Sequence, residues 1–415
     1  MSILLQKFEL NIYNVIYNYV IKSYKGPFWF YNANIIKNKI MKLKKFDIIR
    51  FAQKSCSNIN ILKLIKKYNV QIDAVSYGEI ERALESGFDI NKIIFTSDIF
   101  DYYSLKKIIK HKITVNIGSI DMLHQLGKLS PGHKIWIRIN PGFGHGHNKK
   151  TNTGGENSKH GIWYNSILLH DIIKKYNFKL KGIHMHIGSG VDYKHLQNVC
   201  YSMMNQITYK NKNILFISAG GGLSIPYKKK EKTIDIKHYF NLWNNVRNKI
   251  SNYLGHKIQL EIEPGRFLTA ESGMLVTQIK SVKYIKNKYF VLIDAGFNDL
   301  LRPVMYGSYH KISIIDYNGN HISKNNFKIP TVIGGPLCES GDIFTQKSNG
   351  EIKIRFLPKV FPGDYLIFHD TGAYGASMSS NYNSRPLIPE ILFYRNELKI
   401  IRKKQRMNDL LKLEK

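Results

Sequence analysis

From residue 46 onward, short β-prone runs alternate with segments whose apolar residues recur at helical spacing. The runs are IIRFAQK (48–54), IDAVS (72–76), IIFTS (93–97), TVNIGS (114–119), IWIRIN (135–140), GIHMHIGS (182–189), ILFISAGGG (214–222) and IQLEIEPG (258–265). Between them, stretches such as NILKLIKKY, GEIERALESG, SLKKIIKH and YFNLWNNVRNKISNYLG carry apolar residues three and four apart and end near glycine or a basic residue. Strand and helix alternating eight times predict an α/β fold, a (β/α)8 TIM-type barrel over about residues 35–280, close to the ~250 residues such barrels need.

Past residue 280 the period changes. YFVLIDAG, HKISII, IPTVIGG, IKIRFLP and DYLIFHD are short alternating or apolar runs separated by Gly, Pro and Asn. They predict a C-terminal antiparallel β domain over residues 281–415. The early run FWFYNA (28–33) adds an N-terminal strand, so residues 1–34 group with that domain, and the tail ELKIIRKKQRMNDLLKLEK reads as a last strand and a short charged helix. A chain of 415 residues exceeds what one core usually fills, which also favours two domains.

Composition alters this picture little. The formal net charge is +32, which by itself suggests a nucleic-acid or anionic membrane partner. The lysines are instead scattered among Ile, Asn and Tyr along the whole chain, with no arginine-rich arm, zinc finger or basic amphipathic helix. Neither nucleic acid nor membrane is therefore expected as a partner. Cys56, Cys200 and Cys338 are too few and too scattered for a disulfide framework or a CxxC metal site, so no metal is expected and a reducing compartment is. No stretch approaches the ~18 uninterrupted apolar residues of a membrane span, and the protein reads as soluble and cytoplasmic.

Catalytic groups of such barrels lie at the C-terminal ends of the strands. Here those ends carry Lys54, His186 with Ser189, Gly220–Gly222, and Glu263 with Arg266. Lys54 follows Arg50 and Ala52 at period two, so all three are expected to point into the barrel mouth, where a lysine losing solvation becomes a Schiff-base nucleophile. Taken alone, Lys54 is more simply a lysine ending a strand in a lysine-rich chain. SAGGGLS (218–224) brings bare backbone N–H groups to the strand-seven position where barrel enzymes bind phosphate, although a glycine triplet also serves a plain tight turn.

HMH (184–186) suits a metal or a planar ring stacked on imidazole, and His184 also suits a core histidine satisfied by its neighbours. EPGR is either a surface ion pair or a carboxylate, Glu263, that keeps a cofactor ring nitrogen protonated while Arg266 binds an anion. A phosphorylated aldehyde cofactor, pyridoxal 5'-phosphate, accounts for Lys54, the glycines, His186 and Glu263 together. The metal does not.

FAQKSCSNINIL, DAVSYGEIERAL, TGGENSKHGI, GIHMHIGSG, AGGG, EPGR, LRPVMYGSYH, GGPLCESGD and DTGAYG occur in this order between residues 51 and 375, within a match that runs from about GPFWFYNANII (26–36) to RPLIPEILF (385–393). With these pieces the chain resembles the fold type III pyridoxal phosphate decarboxylases, and among them the diaminopimelate branch. The resemblance implies decarboxylation of meso-2,6-diaminopimelate to L-lysine and CO2, the last step of lysine biosynthesis. By the same resemblance Lys54 would carry the cofactor, His186 would stack on its ring and Glu263 would pair with its nitrogen.

Ser189, the Gly220–Gly222 backbone and Tyr374 would hold the phosphate, with Tyr374 also beside the substrate. Arg266, Arg302 and Tyr306 would bind the retained carboxylate, Cys338 would donate a proton near the substrate carbon, and Glu339 would recognise the distal ammonium. The GGPLCESGD segment would come from a second subunit, making a homodimer with two shared sites. Arg302 in RPVMYG reads as part of a rigid loop rather than a surface cation, Cys338 sits in a loop that argues against burial, and residues 140–161 suit a mobile lid or equally a disordered surface loop. Ser218 and Ala219 depart from the family pattern, in which an acidic residue often precedes the glycines. Ornithine and arginine decarboxylases and alanine racemase share the barrel, but a racemase needs a second base rather than the cysteine loop.

Overall fold

A computed structural model describes residues 12–144, 152–166, 168–186, 188, 190, 193–207, 212–322 and 328–415. The chain divides into two compact units, one of Ile35–Pro226 and Lys232–Thr269, the other of Met1–Asn34, Tyr227–Glu231 and Ala270–Lys415.

β1 (Phe28–Asn32) belongs to the second unit. The first unit is a closed ring of parallel strands: β2 (Ile48–Ala52), β3 (Gln71–Ala74), β4 (Ile93–Ser97), β5 (Thr114–Ile117), β6 (Lys134–Asn140), then, past the two-residue β7 (Ile162–Trp163), β8 (Lys179–His184), β9 (Phe216–Ser218) and β10 (Gln259–Ile262). Each of the eight ring strands pairs with its sequence neighbour in the ring, and β10 returns to β2 to close it. All eight are the runs expected from the sequence. Their nearly unbroken burial is what parallel strands covered by helices require.

Five of the covering helices begin on a side-chain cap in the loop leaving a strand: Asn58, Ser76, Asp101, Ser119 and Asp235. Each such cap is worth about 1 kcal/mol and fixes where the helix starts relative to the barrel mouth. After β10 the chain makes only the single turn Arg266–Thr269 before leaving the barrel. The helix Ala33–Lys42, which precedes β2, buries Ile36 and Ile40 fully and rests the Lys39 ammonium on the Phe267 ring at 4.7 Å.

The boundary between the units therefore falls at residue 269, ahead of the expected 280, because the long strand β11 (Gly273–Ile285) starts the β unit at once. That unit continues with β12 (Lys288–Ile293), β13 (Ile312–Ile315), β14 (Lys328–Gly334), β15 (Arg355–Pro358), β16 (Tyr365–Phe368), β17 (Glu390–Tyr394) and β18 (Glu397–Arg402). Its sheet runs β15-β14-β12-β11-β1-β17-β18, with β16 on β11 and β13 on β16. Pairing is antiparallel except for β1 with β17 and β12 with β14, so the sheet is mixed. Phe28 and Phe30 of β1 enter a core with Ile12, Ile16, Val20, Val276, Ile367 and Ile391. Among the described residues no helix is long and apolar enough to cross a membrane.

Candidate active site

Strand β2 ends at Ala52, and Gln53–Ser55 form a 3-10 turn. The expected period-two alternation stops there. Arg50 lies inside the barrel on Glu261, whereas Lys54 stands past the strand end in that turn, exposed but near enough to act on Asp73, Glu79 and His186. The turn is nonetheless fixed. Ser55 Oγ donates to Ala52 O at 2.9 Å, Gln53 Nε2 to Glu79 O at 3.1 Å, and the Ala52 N–H to Pro264 O at 3.2 Å. A Cβ at Gly265 would sit 3.2 Å from Ala52 Cβ and from Ser55, so the glycine of EPGR lets the two segments touch.

Glu263 is buried just past the end of β10. Its Oε2 lies 2.8 Å from His184 Nε2, and Ser218 Oγ donates to its Oε1 at 3.2 Å. Burial pushes this carboxyl up, but the charge and hydrogen bond of His184, with His186 and Arg50 nearby, outweigh it and hold Glu263 at about 2. EPGR is thus no surface ion pair, and Glu263 pairs with His184 rather than with Arg266. His184 is the core histidine that the sequence allowed, paired through Nε2 with Glu263, while its buried Nδ1 has no hydrogen-bond partner among the described residues.

His186 lies beyond the end of β8 and its Nδ1 accepts the Gly221 N–H at 3.1 Å, which puts the ring proton on Nε2. Burial, Arg138 and Lys54 push it well below the usual histidine value, so the ring is neutral. The two histidines of HMH face different partners and are not a ligand pair; among the described residues no group of three or more His, Cys, Asp or Glu could hold a metal.

The three glycines are sterically required. A Cβ would fall 2.4 Å from Met185 O at Gly220, 2.5 Å from Glu263 O at Gly221 and 2.3 Å from Gly188 O at Gly222, and the first and third have φ of +62° and +92°. The Gly220 N–H donates to Ser218 Oγ at 3.1 Å and the Gly221 N–H to His186, which leaves only the Gly222 N–H of the triplet without a partner among the described residues. Ser218 is therefore the link between the glycine strand end and Glu263. Ser189 lies outside the described residues.

Sequence reasoning missed several charged groups of the barrel mouth. Arg138 and Asp73 are 7% and 2% exposed, and burial lowers the first and raises the second. Glu79 is raised to about 7, first by burial. Its carboxylate accepts the Val75 N–H at 2.9 Å while Ser76 Oγ accepts the Glu79 N–H at 3.2 Å, a helix N-cap legible in the serine of SYGE. Of the expected lid, residues 145–151 lie outside the described residues. The part after them is tied down: Asn140 Oδ1 accepts the Gly155 N–H at 2.8 Å, Thr153 Oγ1 donates to His186 O at 3.0 Å, and Asp98 receives the Gly161 N–H at 3.0 Å and pairs with His160 at 2.5 Å.

The β unit carries the remaining candidates. Arg302 begins a short helix, Arg302–Tyr306, not a loop, with Pro303 in its first turn. The Arg302 side chain is buried, donating to Tyr227 Oη at 2.9 Å and Ser308 Oγ at 3.1 Å. Tyr306 is half-buried on the same helix. Cys338 and Glu339 are exposed, and the Cys338 N–H donates to Asn383 Oδ1 at 2.9 Å. Tyr374 is half-buried and adopts φ +57°.

A buried, ionised carboxylate, a neutral imidazole and a glycine cradle that any Cβ would fill, together with a lysine at the end of the first strand, fit pyridoxal phosphate. The comparisons agree. The family model "Pyridoxal-dependent decarboxylase, pyridoxal binding domain" matches residues 33–270. Diaminopimelate decarboxylase of Buchnera aphidicola subsp. Schizaphis graminum is 62% identical over 99% of this chain and 98% of its own, and that of Escherichia coli K12 is 55% identical over 94% and 93%. A crystal structure of a diaminopimelate decarboxylase superposes with a TM-score of 0.93 at 53% identity, covering 97% of this chain and 96% of that one. The Helicobacter pylori enzyme complexed with L-lysine superposes with a TM-score of 0.84 at 31% identity, covering 96% and 99%.

Proposed function

The chain belongs to the diaminopimelate decarboxylases among the pyridoxal-dependent decarboxylases, and from that we infer that it converts meso-2,6-diaminopimelate to L-lysine and CO2. The observation that carries the reading is the buried Glu263 carboxylate, kept ionised by His184 at the barrel mouth beside the glycine cradle.

Pyridoxal phosphate, when bound, supplies an aldehyde for the substrate amine and a protonated ring that takes up the electron pair left behind as CO2 departs. Around it we assign roles to this chain's residues. Lys54 offers the amine that anchors the aldehyde and yields it to the substrate amine. Glu263, held as an anion, favours a protonated ring nitrogen, and the neutral His186 offers a flat face for stacking. Ser189, the Gly220–Gly222 backbone, through the Gly222 N–H, and Tyr374 receive the phosphate.

Arg266, Arg302 and Tyr306 bind the carboxylate that stays. Cys338 donates the proton that replaces CO2 on the same carbon, and Glu339 meets the distal ammonium. In this reading Cys338 and Glu339 act in the site of a partner copy, so the working form is a homodimer. Free cysteines suit a reducing, cytoplasmic setting.

The test is to purify the protein with pyridoxal phosphate, reduce it with borohydride and map the label, then assay CO2 release from meso-diaminopimelate beside ornithine, lysine and arginine. Label on the Lys54 peptide with turnover of diaminopimelate alone is expected. Label without turnover would reduce the protein to a cofactor-binding relative, and no label would remove the reading.

A further inference from the structure

We propose that Asp342 is a positioning residue whose carboxylate fixes the loop presenting Cys338 and Glu339; this rests on the roles given to that loop above. The loop runs from Gly335 to Asp342 and its two ends meet: the Gly335 N–H donates to Asp342 O at 2.9 Å, and the Asp342 N–H to Glu339 O at 3.0 Å. The Asp342 side chain is 3% exposed. One oxygen accepts the Leu337 N–H at 2.9 Å, immediately before Cys338, and the other accepts the Phe297 N–H at 2.8 Å from a separate loop. A Cβ on Gly335 would lie 2.2 Å from Asp342 Oδ2, so that glycine makes room for the carboxylate.

Phe297 extends the arrangement. Its ring stacks on Tyr382 at 5.4 Å, and the next residue, Asn383, holds the Cys338 N–H. Asp342 therefore grips the loop before Cys338 directly and, through Phe297 and Tyr382, the segment that grips Cys338 itself. The side chains of Cys338 and Glu339 are exposed, so backbone anchoring sets where they project. A carboxylate suits the task because it accepts at both oxygens, whereas an amide of the same shape accepts at one and turns its NH2 toward the other N–H.

The test uses the full-length holoenzyme with Asp342→Asn and Asn383→Ala. In D342N, amide exchange in a peptide covering 335–343 accelerates at least tenfold while β11 and β16 keep their protection. The alkylation rate of Cys338 changes at least threefold with Cys56 and Cys200 still unreactive, and kcat for diaminopimelate falls at least tenfold. Asn383 is exposed at φ +53°, so N383A leaves the core untouched at only the small cost of placing alanine in that conformation, and it moves the same readouts in the same direction by a smaller factor. Unchanged exchange at 335–343 in folded D342N, or in N383A alone should D342N not fold, overturns the proposal. Faster exchange with kcat, KM and alkylation unmoved overturns it too, leaving Asp342 a merely structural role. Cys338→Ser retaining full kcat would instead remove the catalytic role of Cys338 on which the proposal rests, without altering the exchange result.

Discussion

Arg50 and Glu261, on adjacent strands β2 and β10, share two hydrogen bonds of 2.8 and 2.6 Å inside the barrel. Both are essentially removed from solvent. A buried pair of this kind stabilises little relative to apolar residues of the same volume, but losing one partner strands the other charge. R50M is expected to lower barrel stability by about 3–5 kcal/mol, and R50M/E261M by clearly less than the two single variants together. Urea unfolding of the cofactor-free proteins reads the difference.

His184→Ala removes the main donor that keeps Glu263 an anion. Burial then dominates and the carboxyl pKa climbs. In the wild-type protein Glu263 titrates at about 2 and stays ionised through the working range; in the variant it protonates as pH falls through that range. The acid limb of the kcat/KM profile should move up by at least one pH unit, so the loss is about tenfold greater per unit toward acid. A pH–rate profile whose acid limb does not move contradicts this role for His184.

Two glycines with different surroundings separate space from conformation. Gly221→Ala drives a methyl into Glu263 O at 2.5 Å, within the cradle. It should weaken pyridoxal phosphate binding at least tenfold, measured by fluorescence titration. Gly255 caps the helix Ile236–Leu254 at φ +74° with nothing within 4 Å of a Cβ. G255A should cost only about 1 kcal/mol of stability and leave cofactor affinity unchanged.

Asp299 is pushed up to about 6, chiefly by burial and then by Asp294 and Asp342, against the Gly296 N–H and Arg385. A carboxyl whose folded pKa exceeds its unfolded value near 3.9 favours the fold most below about pH 4, and that advantage disappears as pH rises through about 6. Asp299→Asn should therefore flatten the pH dependence of stability between about pH 4 and 7, by about 2 kcal/mol over that span. Thermal melts of both proteins at pH 4.5, 6 and 8 test the sign, with the variant gaining on the wild type toward pH 8.

The barrel was legible because each parallel strand is a short apolar run and the helices between carry their own period, five of them with a side-chain cap. Lys54 was found for the right strand but in the wrong local geometry, since strand alternation says nothing about a 3-10 turn that begins one residue past the strand. The partner of His184, and the parts played by Ser218 and Asp342, were beyond reach for a different reason. Their significance lies in hydrogen bonds to Glu263, to Leu337 or to Phe297, some of them 45 to 79 residues away, and no local pattern encodes such pairing. Cys338 was legible as exposed because Gly, Pro and Ser around it cannot build a regular element.

The place of β1 bears on how the chain is made. FWFYN leaves the ribosome early, yet its partners are residues 273–276 and 390–393, the latter synthesised about 360 residues later. At roughly 5–20 residues per second the delay is roughly 20–70 s. Until residues 273–276 have been made, a strand that ends up buried along its whole length has no sheet to join, while the barrel unit that follows it is still being synthesised. Nascent chains of this protein thus hold a short aromatic segment unpaired while the barrel is being made, which makes that segment the natural binding point for a chaperone and the natural starting point for aggregation when synthesis stalls.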